Sequence, residues 1–441
     1  MKKLYNNIKE YNSVNLLFII VLGSALAFML YTIIFNAGDK TNMWFYPFIG
    51  VYGQEDFYNH VQFTNDLSTL YSNSRGDTLC FPPLAYLMYK ALFNLGNTQD
   101  IYGLFESEKY FDMPLHKHVY VYYNLIVLLL WIIGIAIANK DRNGSKLNIL
   151  LTLTIAFSVE FYGTGVLIGN SSLLVCGMLL IAINLRESDN KVYREIALVL
   201  IALATGLKLY PAIFGILYIF EKRWKEAIRL IVYGVITVFL PFIFLGGLEG
   251  LKNYVSILTL VNNSDTYGFI TNIQDLVGTI IRIFTDGDFK TLCKIIGVAF
   301  LGCQIILAFI SKNKYIRLYF ISSTLVLILS KSYRYTAIYL VVPLILYIQD
   351  NYKRIKFKNT EITVLMILSG IGLAIPIIPG ILSNFGIYLT IEKAWGNIQI
   401  LSIDIVVYSS IWLINLILTI HTLKDCIELR EKDKNKLGLS K

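Results

Sequence analysis

The chain is short of charge, of histidine and of any cysteine pattern. Only 16% of its 441 residues are Asp, Glu, Lys or Arg, against 56% that are hydrophobic. Soluble domains carry roughly a quarter charged residues. The deficit excludes a disordered chain, argues against a water-soluble globule and leaves a protein whose surface faces lipid. The five cysteines, Cys80, Cys176, Cys293, Cys303 and Cys426, show no CxxC or other ligand spacing, so neither a disulfide framework nor a zinc site is expected. There is no P-loop, GxSxG, HExxH or dinucleotide fingerprint, which leaves ATP hydrolysis, serine hydrolysis and zinc peptidase chemistry without support. No metal and no cofactor is expected. The first apolar run lacks a small-residue cleavage site and reads as a retained helix. Internal repeats and low-complexity tracts are missing too.

What the chain has is apolar length. Val14 to Asn36, Tyr120 to Ala138, Ala227 to Leu245 and Ile400 to Ile420 are each long enough to cross a hydrocarbon core about 30 Å thick as a helix. The expectation is a single all-α polytopic membrane domain over residues 1–441. The net charge of +9 is spread over short basic clusters between apolar runs, a mark of topology and not of a nucleic-acid partner. The clusters begin at Lys2, Lys3 and Lys9, continue through Lys140/Arg142/Lys146, Arg186/Lys191/Arg194, Lys222/Arg223/Lys225/Arg229, Lys312/Lys314/Arg317 and Lys353/Arg354/Lys356/Lys358, and end in the tail, 423–441. The positive-inside rule puts all of them, and both termini, in the cytoplasm.

Ten crossings then follow, near 14–36, 119–138, 147–164, 166–185, 227–246, 292–311, 316–330, 335–349, 362–382 and 400–421. Two apolar stretches do not cross. Leu79 to Leu95, short and holding Pro82-Pro83, reads as a partly embedded or re-entrant element on the outer face. The stretch 195–220, apolar from Ile196 to Phe220, has basic clusters at both ends and Gly206 and Pro211 near its middle, and reads as a broken hairpin. Outside lie 37–117, 247–290 and a shorter loop near 382–399, with amphipathic helices on the outer face. Abundant Lys, Ile and Asn point to an AT-rich bacterial genome and hence to a bacterial plasma membrane.

The first outer loop holds Gln54-Glu55-Asp56-Phe57-Tyr58-Asn59-His60, where Phe57, Val61, Phe63, Leu67 and Leu70 suit a helix lying on the membrane. Asp56 and His60, four apart, share a face and are placed to handle a substrate or a proton. An ordinary solvated helix start with acidic residues at its amino end has the same spacing. Leu79-Cys80-Phe81-Pro82-Pro83-Leu84-Ala85-Tyr86 fixes an extended lead into a helix. Lys208, in Gly206-Leu207-Lys208-Leu209-Tyr210-Pro211, is the most informative residue: a lysine facing lipid costs roughly 2.5–3.5 kcal/mol. It is therefore expected at a polar cavity or an anion such as a lipid phosphate, with a snorkelling or carboxylate-paired lysine as the structural alternative. Lys331-Ser332-Tyr333-Arg334-Tyr335 sets two cations on the outer face, for phosphate recognition by Arg334 or for lipid head groups. Glu160, followed by Tyr162, Gly163 and Gly169-Asn170, lines a polar cleft or is a buried hydrogen-bonded glutamate.

In order, the Asp-Phe-Tyr context of Asp56, Phe81-Pro82-Pro83-Leu84-Ala85, Gly169-Asn170 before an apolar helix, Gly206 to Pro211, and Lys222-Arg223-Trp224-Lys225 resemble glycosyltransferase family 87. The likeness covers most of Gln54 to Gly247 and is most specific from Lys208 to Lys225. That family belongs to the C-type membrane glycosyltransferases and includes polyprenol-phosphate-mannose-dependent mannosyltransferases. It often has Gly-Gln in place of Gly169-Asn170, and a Ser-Trp-x-His-type element in place of Ser332-Tyr333-Arg334-Tyr335. The resemblance implies inverting transfer of mannose or another hexose from a polyprenyl-phosphate donor to an extracytoplasmic glycan, glycolipid or glycoprotein. In that scheme Asp56 is the base, assisted by Glu55 and His60. Lys208 and Arg334 neutralise the departing phosphate, while Lys331, Tyr333, Tyr210, Glu160 and Asn170 bind substrate. No metal is required. A transporter or flippase of lipid-linked saccharides, sharing the cationic interior, is the rival.

Overall fold

The structure of the protein, a computed structural model, describes residues 11–34, 55–64, 66–72, 79–95, 117–139, 144–166, 168–263, 271–285, 289–328, 334–375, 389–391, 398–400 and 402–436. In chain order the helices are α1 (Val14–Ile34), α2 (Glu55–Phe63), α3 (Pro83–Asn94), α4 (Lys117–Ala138), α5 (Ser145–Ala156), α6 (Ser172–Leu185), α7 (Lys191–Leu207), α8 (Ile216–Phe220), α9 (Trp224–Phe239), α10 (Gly247–Asn263), α11 (Ile273–Phe284), α12 (Lys290–Ile310), α13 (Lys314–Leu327), α14 (Val341–Asn351), α15 (Thr360–Leu373) and α16 (Ser402–Lys436). The expected all-α class holds. Among the described residues the exception is an antiparallel ribbon of β1 (Leu389–Ile391) and β2 (Ile398–Ile400).

Among the described residues four helical stretches are long and apolar enough to cross a membrane: Val119–Ala138, Trp224–Phe244, Lys290–Ile310 and Ile405–Glu428. They coincide with four of the ten expected crossings. Five shorter apolar helices, among them Ser145–Ala156, Ser172–Leu185 and Thr360–Leu373, fall within other expected crossings or the hairpin. The shortness has local causes. At about 1.5 Å per residue, the 14-residue α6 spans some 21 Å, because a π-helical segment, Val159–Val166, and the left-handed Gly169 interrupt the chain before it. On α9, Ile228, Ile231, Val235 and Phe239 lie exposed along one side while Ala227, Leu230 and Val238 are buried. Exposed aliphatic rows of that kind are stable against hydrocarbon and not against water.

The chain divides into two compact units, one of residues 1–47, 153–159 and 266–441, the other of 48–152 and 160–265. In the first, α1 meets α15 closely enough that a Cβ on Gly370 would come within 3.2 Å of Ile20, and Ser13 and Thr363 share a hydrogen bond of 2.8 Å. Gln304 of α12, Asn415 of α16 and Ser323 of α13 form a buried polar link between helices.

In the second unit, α4 packs on α6 through Gly134 and Gly177, each with a side chain of the other helix in the space a Cβ would occupy. Trp131 donates its indole N–H to the Leu173 carbonyl at 2.9 Å. From α6 the chain runs up α7, breaks at Lys208 and returns through a 3-10 turn, Tyr210–Gly215, and α8. The return is complete: the Arg186 guanidinium, before α7, grips Glu221, after α8, through two bonds of 2.6 and 3.2 Å. Arg223 also donates to the Arg186 carbonyl at 3.0 Å. The following helix α9 runs alongside α7 in the same direction, tied by Arg194–Glu226 at one end and by Thr237 to the Ala202 carbonyl nearer the other. The helix continues through Gly206, where the sequence pointed to a break, and ends one residue later. Gly206 is there for closeness, since a Cβ would lie 2.6 Å from Leu84 and 3.0 Å from the Thr237 carbonyl.

The Arg186–Glu221 pair generates a test. Arg186 is almost wholly buried, and a buried charge stripped of its partner is strongly destabilising. Glu221→Ala leaves Arg186 only the longer contact with Glu187 at 3.9 Å, so the expected cost is about 2–3 kcal/mol, under that of a wholly stripped charge, with a lower melting temperature in detergent. Lys252→Ala, which breaks the exposed pair with Glu249, is expected to leave it unchanged.

Candidate active site

Four segments of the second unit converge. Helix α2 begins where the sequence placed it and buries Phe57 and Val61. Phe57 lies edge-on to Tyr89 and Tyr120, and its N–H donates to the Ile168 carbonyl at 3.3 Å. Pro82 is extended (φ −63°, ψ 158°) and Pro83 opens α3, the arrangement adjacent prolines favour. Phe81, just before them, has its carbonyl held by the Tyr71 hydroxyl at 2.8 Å. Tyr71 itself sits in a core with Tyr86, Phe242 and Tyr254. The third segment is the turn ahead of α6. Gly169 has φ +76°, and a Cβ there would lie 2.6 Å from Phe57 Cβ; a glycine is required on both counts. The fourth is the break after α7, where Lys208 is extended (φ −148°, ψ 129°).

These segments bring Asp56, Asn170, Ser172 and Lys208 into one network. The Lys208 ammonium is buried, 2% of the residue being exposed. It donates to Asn170 Oδ1 at 2.7 Å and to Ser172 Oγ at 2.8 Å. Its Nζ lies 4.8 Å from the centre of the Phe81 ring and 5.6 Å from that of Tyr210, within cation–π range. Its place at the carboxyl end of α7 favours a positive charge. Asn170 Oδ1 also accepts the Ser172 N–H at 2.9 Å, an Asx turn. With its oxygen so engaged, the Asn170 amide must point its NH₂ the other way, and it donates to Asp56 Oδ2 at 2.6 Å. A cation and a carboxylate are thus joined through one amide.

Burial pushes the Asp56 carboxyl above its ordinary value of 3.8, while the Asn170 hydrogen bond and the Lys208 charge pull the other way. A raised carboxyl is a stronger base once ionised. His60 is buried between aromatic rings, 4.2 Å from Phe81 and stacked on Tyr89 at 5.2 Å. Burial, with Lys208 adding to it, lowers its pKa to about 3, so the ring is neutral at physiological pH. Its Nδ1 is buried without a hydrogen-bond partner.

The other expected residues divide three ways. Tyr210 flanks Lys208, and Glu160 is buried in the π-helical segment that precedes the Gly169 turn. The side chains of Glu55 and Arg334 lie outside what is described; Arg334 opens a 3-10 turn, Arg334–Leu340, in the first unit. Lys331 and Tyr333 are outside the described residues altogether. Two participants escaped the sequence reading. Ser172 stands two residues past Asn170, the spacing of an Asx turn, and that was its available signal. Phe81 has no role of its own in the sequence, standing only in the extended lead into a helix and in the Phe81-Pro82-Pro83-Leu84-Ala85 motif. Among the described residues no group of three or more His, Cys, Asp or Glu is arranged to hold a metal.

Glycosyltransferase family 87 matches residues 109–330, half of the chain. The chain belongs to this family. The family 87 match takes in Glu160, Asn170, Ser172, Lys208 and Tyr210, begins after Asp56, His60 and Phe81, and ends just before Lys331 and Arg334. Neither a curated protein nor a solved structure matches the chain. The family 87 chain is accordingly a glycosyltransferase with membrane helices.

The Gly169 turn can be tested by itself. Gly169→Ala meets both left-handed strain and the Phe57 contact and is expected to destabilise by about 2 kcal/mol or more. Gly144→Ala, equally left-handed (φ +88°) but with open space around it, is expected to lose only about 1 kcal/mol. Equal melting temperatures for the two variants would mean that the Phe57 contact does not constrain the turn.

Proposed function

We propose that the protein transfers a hexose, mannose or another, from a polyprenyl-phosphate donor to an extracytoplasmic glycan, glycolipid or glycoprotein, with inversion at the anomeric carbon. The observation that carries this reading is the single network holding Asp56 and Lys208 through Asn170. The acceptor hydroxyl attacks the anomeric carbon as the carbon–oxygen bond to the lipid phosphate breaks. Asp56 takes the hydroxyl proton. The polyprenyl phosphate leaves with its electron pair and without protonation, so it needs positive charge in place of a general acid. Lys208 supplies that charge. Attack opposite the leaving group inverts the configuration. His60, neutral and packed among rings, shapes the wall of the site in this scheme.

The same proposal has ten crossings in a bacterial plasma membrane, a re-entrant hairpin at 195–220, cytoplasmic termini and an outward-facing site that belongs to the C-type class. Membership of a glycosyltransferase family favours transfer over transport of the lipid-linked saccharide.

The test uses the full chain in lipid nanodiscs, a panel of polyprenyl-phosphate sugars and a cell-envelope acceptor extract. Wild-type protein is expected to transfer sugar, Asp56→Asn to lose about 10²–10⁴-fold in rate, and Lys208→Met about 10²–10³-fold. A base must be ionised, so activity falls as pH drops through the Asp56 pKa. Burial sets that acid limb above 3.8. Wild-type protein that moves labelled lipid-linked sugar between leaflets, transfers none and is indifferent to Asp56→Asn would replace the transferase with a flippase.

A further inference from the structure

We infer that Asn170 is a positioning residue, which orients and holds ionised Asp56 through its amide and does not itself bind substrate. The inference rests on the transferase reading only for what Asp56 does; the geometry behind it is independent. Every polar atom of the Asn170 side chain is directed inward. Oδ1 accepts from Lys208 and from the Ser172 N–H, and Nδ2 donates to Asp56. Its backbone carbonyl is engaged too, the Tyr123 hydroxyl donating to it at 3.1 Å. The residue is 1% exposed, which leaves no face for a sugar.

The direction of the amide is what matters. An amide can be turned over, presenting either oxygen or NH₂ to a neighbour, and the network decides which. Here two donors, the Lys208 ammonium and the Ser172 N–H, lie on one side. They fix the oxygen there and force the NH₂ toward Asp56. An NH₂ donor stabilises the carboxylate more than the protonated acid, whose remaining oxygen is a weaker acceptor and whose O–H finds no acceptor on the NH₂. Lys208 therefore acts on Asp56 in two ways: by its charge, and by dictating the orientation of the amide between them. Gly169 is the third part, because its left-handed turn brings Asn170 into reach of both partners.

Two substitutions separate these parts. Asn170→Asp is nearly isosteric and keeps acceptors for Lys208 and the Ser172 N–H, but it replaces the donor to Asp56 with a second carboxylate oxygen. Asn170→Ala removes all three side-chain bonds. With the donor gone, Asp56 holds its proton to higher pH, so the acid limb of kcat/KM is expected to move up by about one pH unit in Asn170→Ala and further in Asn170→Asp. At neutral pH kcat is expected to fall at least about tenfold in both, with the donor KM within about threefold. A merely structural role would reduce the folded fraction and leave the limb of the surviving activity in place.

A second readout needs no turnover. The infrared carboxyl band of Asp56, isolated by subtracting the spectrum of the corresponding Asp56→Asn protein, is expected to titrate at higher pH in Asn170→Ala than in the wild type. An unshifted band overturns the inference. Should Asn170→Ala fail to fold, Asn170→Asp decides the matter through its own pH–rate profile, an unmoved acid limb being the contrary result. A band that shifts in a protein that transfers no sugar supports the role of Asn170 and overturns the transferase reading instead.

Discussion

Everything around the site follows from one buried ammonium. A charge removed from water requires replacement hydrogen bonds and counter-charge, and Lys208 finds them in Asn170, Ser172 and the faces of Phe81 and Tyr210. Each partner comes from a structural irregularity: the left-handed turn at Gly169, the double proline after Phe81, the helix break at Lys208 itself. A regular bundle would have offered the ammonium only aliphatic neighbours. Breaks in regular structure cost stability and persist where the surroundings fix them. Here they are fixed by Phe57 against Gly169, by the Tyr71 hydroxyl on the Phe81 carbonyl, and by the close approach of α3, α7 and α9 at Gly206.

Asp56 is a separate case, because it reaches the ammonium only through an intermediary. Direct contact would make a tight ion pair, neutralising both groups and lowering the basicity of the carboxylate. With an amide between them, the carboxylate gains one strong hydrogen bond and part of the lysine's field, while burial continues to favour its protonated form. The arrangement leaves the Asp56 carboxyl raised by burial and out of direct contact with the Lys208 ammonium. Both features suit the proposed transfer, in which a proton is removed in one place and negative charge accumulates in another.

The sequence was informative where composition or chemistry was unusual, and silent where geometry decided. A lysine inside an apolar segment, two adjacent prolines and an Asp-Phe-Tyr helix start are visible as letters, and the structure brings Lys208, Phe81 and Asp56 to one place. Glycines 206 and 169 show the limit. From sequence alone Gly206 reads as a helix breaker, yet α7 passes through it, because the absence of a side chain serves packing against Leu84 and Thr237. Gly169 reads as a small residue before a helix and proves to be the left-handed pivot of the site. The direction of the Asn170 amide was out of reach, since it depends on Lys208, which arrives from a distant part of the chain, meeting the local Asn170–Ser172 turn. The neutrality of His60 was hidden for the same reason: spacing placed it near Asp56, but only tertiary packing shows it enclosed by Phe81, Tyr86 and Tyr89.

The grip of Arg186 on Glu221 makes residues 187–220 an excursion that starts and finishes at one point. In the proposed topology, with 195–220 as a re-entrant hairpin, such an excursion adds nothing to the odd-or-even count of passages through a bilayer. A change within 187–220 that keeps the Arg186–Glu221 closure then leaves the orientation of every later helix as it was. In that topology the tip around Lys208 is held by its own contacts with Asn170 and Ser172 and not by the direction of the helices after it, whereas a through-going span altered enough to stop crossing would invert all that follows.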